Sequence, residues 1–514
     1  MSSPDSRCAA AVLGVAGPSL TDEERAFLEG NSISITEIEQ RQFYGLATGD
    51  LFNVPAGVVG VAVGVEYREL EIDSTNDVIR TTGGAASEVP DTELDTAGET
   101  NLLEFFVEAE VPVLDTLDVN LSGRYTDEKN FGEEFTYSAK VKYEPLDWLG
   151  FRATYGTTFR APNLREQFLA GAAGTIGGGN DPCLVPTDAN NGGVYDPSGD
   201  ERSQALLNQC IADGADPFSL GLQATTGIPT STGGGENLKP ETSDSYTAGV
   251  VFRQTWSDKF DFDLAVTYYN IEIEDTVRES DAANLLAQCY SDDPQQFACD
   301  RVSRGPNGAV SLVDASFINV GLFETSGIDY VARFGMPLDQ VADFFGPTEL
   351  GVSFTASQVL DRTEDVDPTD PSIAPEELEG TISNPEWSWL LTTTLERGPF
   401  TALWRTRYIG EGQQTDSDPF DTTPSTTSSA CGVLGYTGTG GCRDVDFVDD
   451  YFQNDVSLTY RADSWALTGG ISNVFDAEPP LIDQGEGPSR LNIVTQSGYD
   501  LFGRRVFFNL SKSF

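Results

Sequence analysis

The chain has 514 residues, with 30 basic against 82 acidic side chains and a formal charge of −52. That length exceeds one ordinary soluble domain, and that charge argues against nucleic-acid binding, which needs a basic surface to neutralise phosphates. Histidine is absent, so neither a His general base nor a His-ligated metal is available in this chain, and the usual Ser–His–Asp hydrolase arrangement is excluded.

The acidic excess has two readings: a solvated surface suited to a salty habitat, or loops that gather divalent cations. Mean hydropathy is −0.26, and no window reaches the ~18 consecutive apolar residues of a spanning helix. A membrane β-barrel would read the same way, because only alternate residues meet lipid.

Residues 1–34 read as a loop region, placed outside the cell. Within it, Thr21 caps a short helix over 21–28, with Glu24 three positions on. The apolar run 8–17 is short, and Asp5 offsets Arg7, so it does not read as a signal peptide. A secreted β protein without a leader, and with an odd cysteine at Cys8, is expected to begin inside a longer protein.

Residues 35–514 read as one β unit. Strand 35–52 turns at Pro55-Ala56-Gly57 and returns over 58–69, followed by an acidic loop over 73–100. Leu103, Phe105, Val107, Ala109 and Val111 then alternate with charged or polar neighbours. So do Leu117, Val119, Leu121 and Tyr125, and after them Phe135, Tyr137, Ala139, Val141 and Tyr143. A period of two marks a strand with one apolar and one wet face. The wet faces carry Glu104, Glu108, Arg124, Glu134, Lys140 and Lys142. Buried in a dry sandwich, such charges would need partners; the polar interior of a wide barrel accommodates them.

Further strands are expected over 150–158, 242–255, 260–274, 315–334, 349–360, 386–396, 400–410, 451–461, 465–473 and 499–514. Most meet the ~9–11 residues of a tilted membrane strand. Connections alternate between short (145–149, 256–259, 397–399, 462–464) and long (161–241, 276–314, 361–385, 411–449). Aromatic residues gather beside the short ones: Tyr143, Trp148 and Phe151; Trp256 and Phe260; Tyr460 and Trp465. Rings so placed read as a girdle at the lipid–water boundary.

Six of the 7 cysteines fall two to a loop: Cys183 with Cys210, Cys289 with Cys299, and Cys431 with Cys442. Local pairing is the expectation, with disulfides bracing loops that lack a core of their own and implying an oxidising compartment. Cys8 is left over.

Several stretches resemble the TonB-dependent outer-membrane receptors. Arg160-Ala161-Pro162-Asn163-Leu164 followed by Glu166 is similar to that family's strand-end motif. Asn237-Leu238-Lys239-Pro240-Glu241-Thr242 is similar to its re-entry motif. The hairpin from Gly49 to Arg68, the segment Asn319–Tyr330, the run Ile471-Ser472-Asn473-Val474-Phe475-Asp476 and a closing strand ending at Phe514 also fit. The resemblance implies an all-β, antiparallel transmembrane barrel with short periplasmic turns and long extracellular loops. About fifteen strands here, of roughly 22 in the family, make this the C-terminal part of such a receptor, preceded by the plug, the TonB-engaging segment and the first strands.

Implied with it are an integral location in the bacterial outer membrane, TonB-dependent uptake of a scarce ligand (an iron–siderophore complex, cobalamin or an oligosaccharide), and no catalysis. The implied partners are the TonB–ExbB–ExbD energy-coupling complex, reached through the preceding part, outer-membrane lipid and lipopolysaccharide, and the barrel assembly machinery, with no cofactor. Trp404, Arg405, Arg407 and Tyr408 are candidate ligand contacts; their plainer reading is a girdle Trp and Tyr with lumen-facing arginines paired to carboxylates. Arg160 and Lys239 read as strand-end anchors. A passive porin or surface adhesin is the alternative, and a soluble carbohydrate-binding β protein is a third reading.

Overall fold

The computed structural model describes residues 31–82, 92–220, 227–235, 238–291, 294–319, 321–365, 374–413, 447–482, 489–490, 493–494 and 498–513. The expected helix at 21–28, Asn237, Cys431, Cys442 and Phe514 lie outside these.

Fifteen long strands form one continuous antiparallel sheet in sequence order. They are β1 (Ser34–Val54), β2 (Gly57–Asn76), β3 (Thr96–Leu114), β4 (Leu117–Glu128), β5 (Gly132–Leu146), β6 (Leu149–Arg160), β7 (Glu241–Arg253), β8 (Asp261–Glu274), β9 (Leu322–Pro337), β10 (Glu349–Asp365), β11 (Trp387–Arg397), β12 (Phe400–Ile409), β13 (Tyr451–Ala462), β14 (Trp465–Ser472) and β15 (Arg505–Lys512). Each corresponds to one strand expected from the sequence. Among the described residues, neither the outer edge of β1 nor that of β15 is paired. In hydrocarbon, unpaired backbone groups of this kind require partner strands.

Register sorts the side chains onto two faces. Val61, Ala109, Leu121, Ala139, Tyr155 and Tyr246 lie opposite one another across six strands. With Phe105, Phe135 and Leu458 they belong to an apolar face whose large side chains stay exposed. The other face carries Glu66, Glu104, Thr126 and Glu134 in one row. There Arg124 pairs with Glu104 at 3.1 Å and Thr126 donates to it at 2.9 Å. An exposed apolar face opposite a charged, cross-bonded one is what a wall between lipid and an aqueous lumen requires.

The short connections share one end of the sheet. In the turn between β11 and β12, Gly398 adopts φ 55°, a left-handed conformation that glycine reaches without steric cost. Ring pairs collect at this end: Tyr143–Phe151 at 6.3 Å, Trp148–Phe252 at 6.0 Å and Phe400–Tyr460 at 5.1 Å, with Lys512 4.8 Å from the Trp465 ring centre. Tyr143, Trp148, Phe151, Tyr460 and Trp465 belong to the expected girdle, and Phe252, Phe400 and Lys512 join them.

β2 runs on to Asn76 and β3 starts at Thr96, both inside the expected loop 73–100, and two other strands start later than expected. The expected strand 315–334 begins only at Leu322, because Ala315 is buried in a core formed by the loops and Phe317–Asn319 pairs instead with Val277–Glu279. The expected strand 499–514 begins at Arg505, because Tyr499 and Asp500 are buried against loop roots.

The loops themselves differ from expectation more deeply: they share a core. Val302–Arg304, Val310–Asp314, Ile228–Thr232, Ala172–Ile176 and Thr92–Glu93 form a five-stranded sheet drawn from three separate loops. Helices α1 (Gln204–Ala212) and α2 (Ala282–Cys289) contribute Cys210, Leu285, Leu286 and Cys289, which pack with Ile228, Tyr290 and Val313. Disulfides join Cys183 to Cys210 and Cys289 to Cys299 within this module.

Candidate functional site

The long-loop end carries the folded module, and a collar of polar contacts fixes the loop roots to the strands beneath. At the end of β6, Arg160 bonds Glu241 at the start of β7 through two nitrogens at 2.6 Å and holds Glu166 at 2.9 Å. Pro162 ends the strand, since it has no N–H for the ladder. Asn163 then caps the helix Leu164–Phe168, accepting from the Glu166 N–H at 2.9 Å, while Glu166 accepts from the Asn163 N–H at 2.7 Å. Leu238 and Pro240 are buried beside this joint. Glu241 also accepts from the Val277 N–H at 2.7 Å, so one carboxylate ties β7 to the loop that leaves β8.

A second joint centres on Asn319, which accepts from the Lys239 N–H at 2.7 Å and donates to the Lys239 and Asp275 carbonyls at 2.9 and 2.8 Å. Lys239 thus anchors through its backbone, and its side chain stays exposed. Below it, Gly327 lies under Tyr269: a Cβ there would stand 2.5 Å from the phenol oxygen and from the Gln358 carbonyl.

The third joint is Asn473, fully buried and left-handed at φ 52°, a conformation Asn tolerates better than most residues. Its N–H donates to Asp455 at 2.9 Å, and its side chain exchanges bonds with Ala477 and reaches Asp500 at 3.2 Å. Asp476 accepts from the Arg504 N–H at 2.7 Å, and Asp500 pairs with Arg505 at 3.2 Å, joining the end of β14 to the start of β15. Phe475, by contrast, is exposed, 6.1 Å from the Trp404 ring.

Inside the module, Arg304 and Asp181 form an ion pair with both side chains only 3% exposed, through bonds of 2.6 and 2.8 Å. Arg304 also donates to Tyr290 Oη at 2.7 Å and to the Gly308 carbonyl at 2.8 Å. Burial pushes the Tyr290 hydroxyl up to about 12, so it stays protonated and donates to Asp213 at 2.9 Å. Nearby, Arg202 grips Asp200 at 2.7 Å and donates to the Cys183, Leu184 and Pro217 carbonyls. The Arg202 guanidinium holds the Asp200 carboxyl well below the usual carboxylate range. None of these six residues stood out in the sequence: Arg304 and Asp181 are 123 positions apart.

The four candidate ligand contacts on β12 do not converge. Trp404 and Tyr408 face the apolar side; Trp404 bonds Asn454 at 3.2 Å, and Tyr408 stacks on Trp389 at 5.1 Å while donating to Asp450 at 2.7 Å. Arg405 and Arg407 face the charged side, Arg405 paired with Asp455 at 3.0 Å and Arg407 donating to the Gly498 carbonyl at 3.2 Å. Side chains of alternate parity on one strand cannot close on one ligand.

A family model described as TonB dependent receptor-like, beta-barrel, matches residues 14–474. No curated protein matches by sequence. Among solved structures, the ferric enterobactin receptor of Pseudomonas aeruginosa, in a mutant form bound to enterobactin, superposes with a TM-score of 0.58 at 13% identity, over 93% of this chain and 55% of that one. The siderophore receptor PirA of Acinetobacter baumannii gives 0.56 at 16% identity, over 93% and 55%. At such identities the likeness is one of fold. The chain spans about half the length of these structures.

Proposed function

This chain belongs to the TonB-dependent receptor-like β-barrel family, an integral outer-membrane family, and from that premise we propose that residues 35–514 build much of the barrel and the outer mouth of a receptor for TonB-dependent uptake of a scarce ligand. The observation that carries the proposal is the pairing of a two-faced sheet with a folded module at its long-loop end. A passive pore needs only the wall. A receptor also needs a shaped external surface whose loop roots are held in place, and Arg160, Glu241, Asn319 and Asn473 hold them here.

The ligand class is an iron–siderophore complex, cobalamin or an oligosaccharide. Iron–siderophore complexes are the first to test, since the two similar structures are receptors for ferric enterobactin and for siderophores. Energy would come from the TonB system, acting on parts of the receptor beyond this barrel segment. Lipid and lipopolysaccharide would surround the apolar face, and the assembly machinery would insert it.

The test is uptake of radiolabelled ferric siderophores, cobalamin and oligosaccharides by cells with and without the gene, in TonB-competent and TonB-deficient backgrounds. Gene-dependent uptake of one class that vanishes without TonB is expected. Uptake that persists without TonB would replace this reading with the passive channel.

A further inference from the structure

Six of the seven connections at the short-turn end are brief or closely paired with their strands, but the one between β9 and β10 is a folded element of its own. Leu338–Gln340 and Asp343–Phe345 are 3-10 turns. They are closed by bonds from the Leu338 N–H to the Thr348 carbonyl and from the Thr348 hydroxyl to the Phe345 carbonyl, both 2.7 Å. Leu338, Val341 and Phe344 recur every third residue, the period of such a turn. The element hides Thr348 and presents its apolar residues: Val341 is 60% and Phe344 78% exposed, with the Phe344 and Phe345 rings 4.1 Å apart. A turn in water has no reason to hold such a surface outward.

Its position identifies what covers it. Arg397 ends β11 opposite Phe400, and Phe400 lies opposite Tyr460 on the apolar face. The Arg397 guanidinium reaches Gly346, with Nη2 3.1 Å from where a Cβ would stand. The turn is therefore in contact with a side chain of the lipid-facing side. It is flanked along the same rim by the Phe260–Phe334 pair on one side and the Phe400–Tyr460 pair on the other. The exposed apolar surface continues the girdle.

We propose that the 338–348 turn is a lipid anchor. Val341 and Phe344 enter the headgroup–acyl boundary of the periplasmic leaflet, as apolar faces of interfacial helices do, while Arg397 extends its charge to a phospholipid phosphate. The proposal rests on the assignment of the apolar face to lipid.

The test places a single environment-sensitive fluorophore on Phe344→Cys, on Leu458→Cys on the apolar face, one outward-facing position inside the Phe400–Tyr460 pair, and on Asp463→Cys in a two-residue turn at the same end. The full-length protein is reconstituted in phosphatidylethanolamine–phosphatidylglycerol vesicles, and the unsubstituted protein sets the labelling background. Expected is quenching by brominated lipid at positions 344 and 458, and by aqueous iodide at 463. Iodide quenching at 344 with lipid quenching at 458 would overturn the anchor and leave the barrel standing. Iodide quenching at both would overturn the lipid assignment and the anchor with it.

Discussion

Replacing Asp181 by alanine should loosen the loop module while leaving the barrel wall intact. Both members of the Arg304–Asp181 pair are 3% exposed, so the substitution strands a guanidinium in a site closed to water. Its remaining acceptors are Tyr290 Oη, the Gly308 carbonyl and the disulfide-bonded Sγ of Cys183, and none carries a negative charge. Breaking a buried pair by removing one partner costs about 3–5 kcal/mol. At tenfold per ~1.4 kcal/mol, the constant for opening the module should rise by roughly two to three and a half orders of magnitude. Hydrogen exchange read by mass spectrometry should show this in α1 and α2, with β3 to β6 unchanged. The double variant Asp181→Leu, Arg304→Met removes both charges and should cost less than the single one, because no uncompensated ion remains. Unchanged exchange in α1 and α2, or a double variant as loose as the single, would refute the reasoning.

Three further outcomes are expected. Reducing the disulfides should loosen the module unequally: the Cys183–Cys210 link closes a separation of 27 residues and Cys289–Cys299 one of 10, worth about 3.5 and 2.7 kcal/mol by loop-closure entropy. Limited proteolysis of Cys→Ser pairs should rank them in that order. Lowering the pH should loosen the same region. The Asp200 carboxyl is held low by Arg202 when folded, so its contribution is full above the unfolded carboxylate value and is lost as pH falls below about 4; exchange in α1 should quicken there, and Asp200→Asn should flatten that dependence. Finally, Gly327→Val should drive its Cβ into Tyr269 and the Gln358 carbonyl, at about 1–3 kcal/mol. The fraction of folded barrel, read by heat-dependent gel mobility, should fall, and Tyr269→Ala should partly restore it.

The alternation of Phe135, Tyr137, Ala139, Val141 and Tyr143 with charged neighbours was enough to place β5 and to say which side is wet. The other fourteen strands of the sheet were also expected, two of them with starts that the structure moves to Leu322 and Arg505. That is possible because a strand's two faces are written into consecutive residues, and a one-residue slip would expose every apolar side chain to the wrong solvent. The motif residues Arg160, Asn163, Glu241, Asn473 and Asp476 were also visible; of their roles only that of Arg160, a strand-end anchor, was read. Grouping Trp404 with Arg405 joined neighbours in sequence that the pleat sends to opposite faces.

What the sequence by itself determined was therefore the wall: period, strand count, the sidedness of the face and the end at which the short turns lie. Two disulfides of the mouth were also legible, Cys183–Cys210 and Cys289–Cys299; the rest of it only the tertiary structure decided. Thr92, Ala172, Ile228, Val302 and Val310 start strands of one small sheet although they come from three loops, and Arg304 meets Asp181 across 123 positions. No local pattern encodes such contacts. They form because the wall brings the loop roots together and the loops' few apolar residues can leave water only in one another's company.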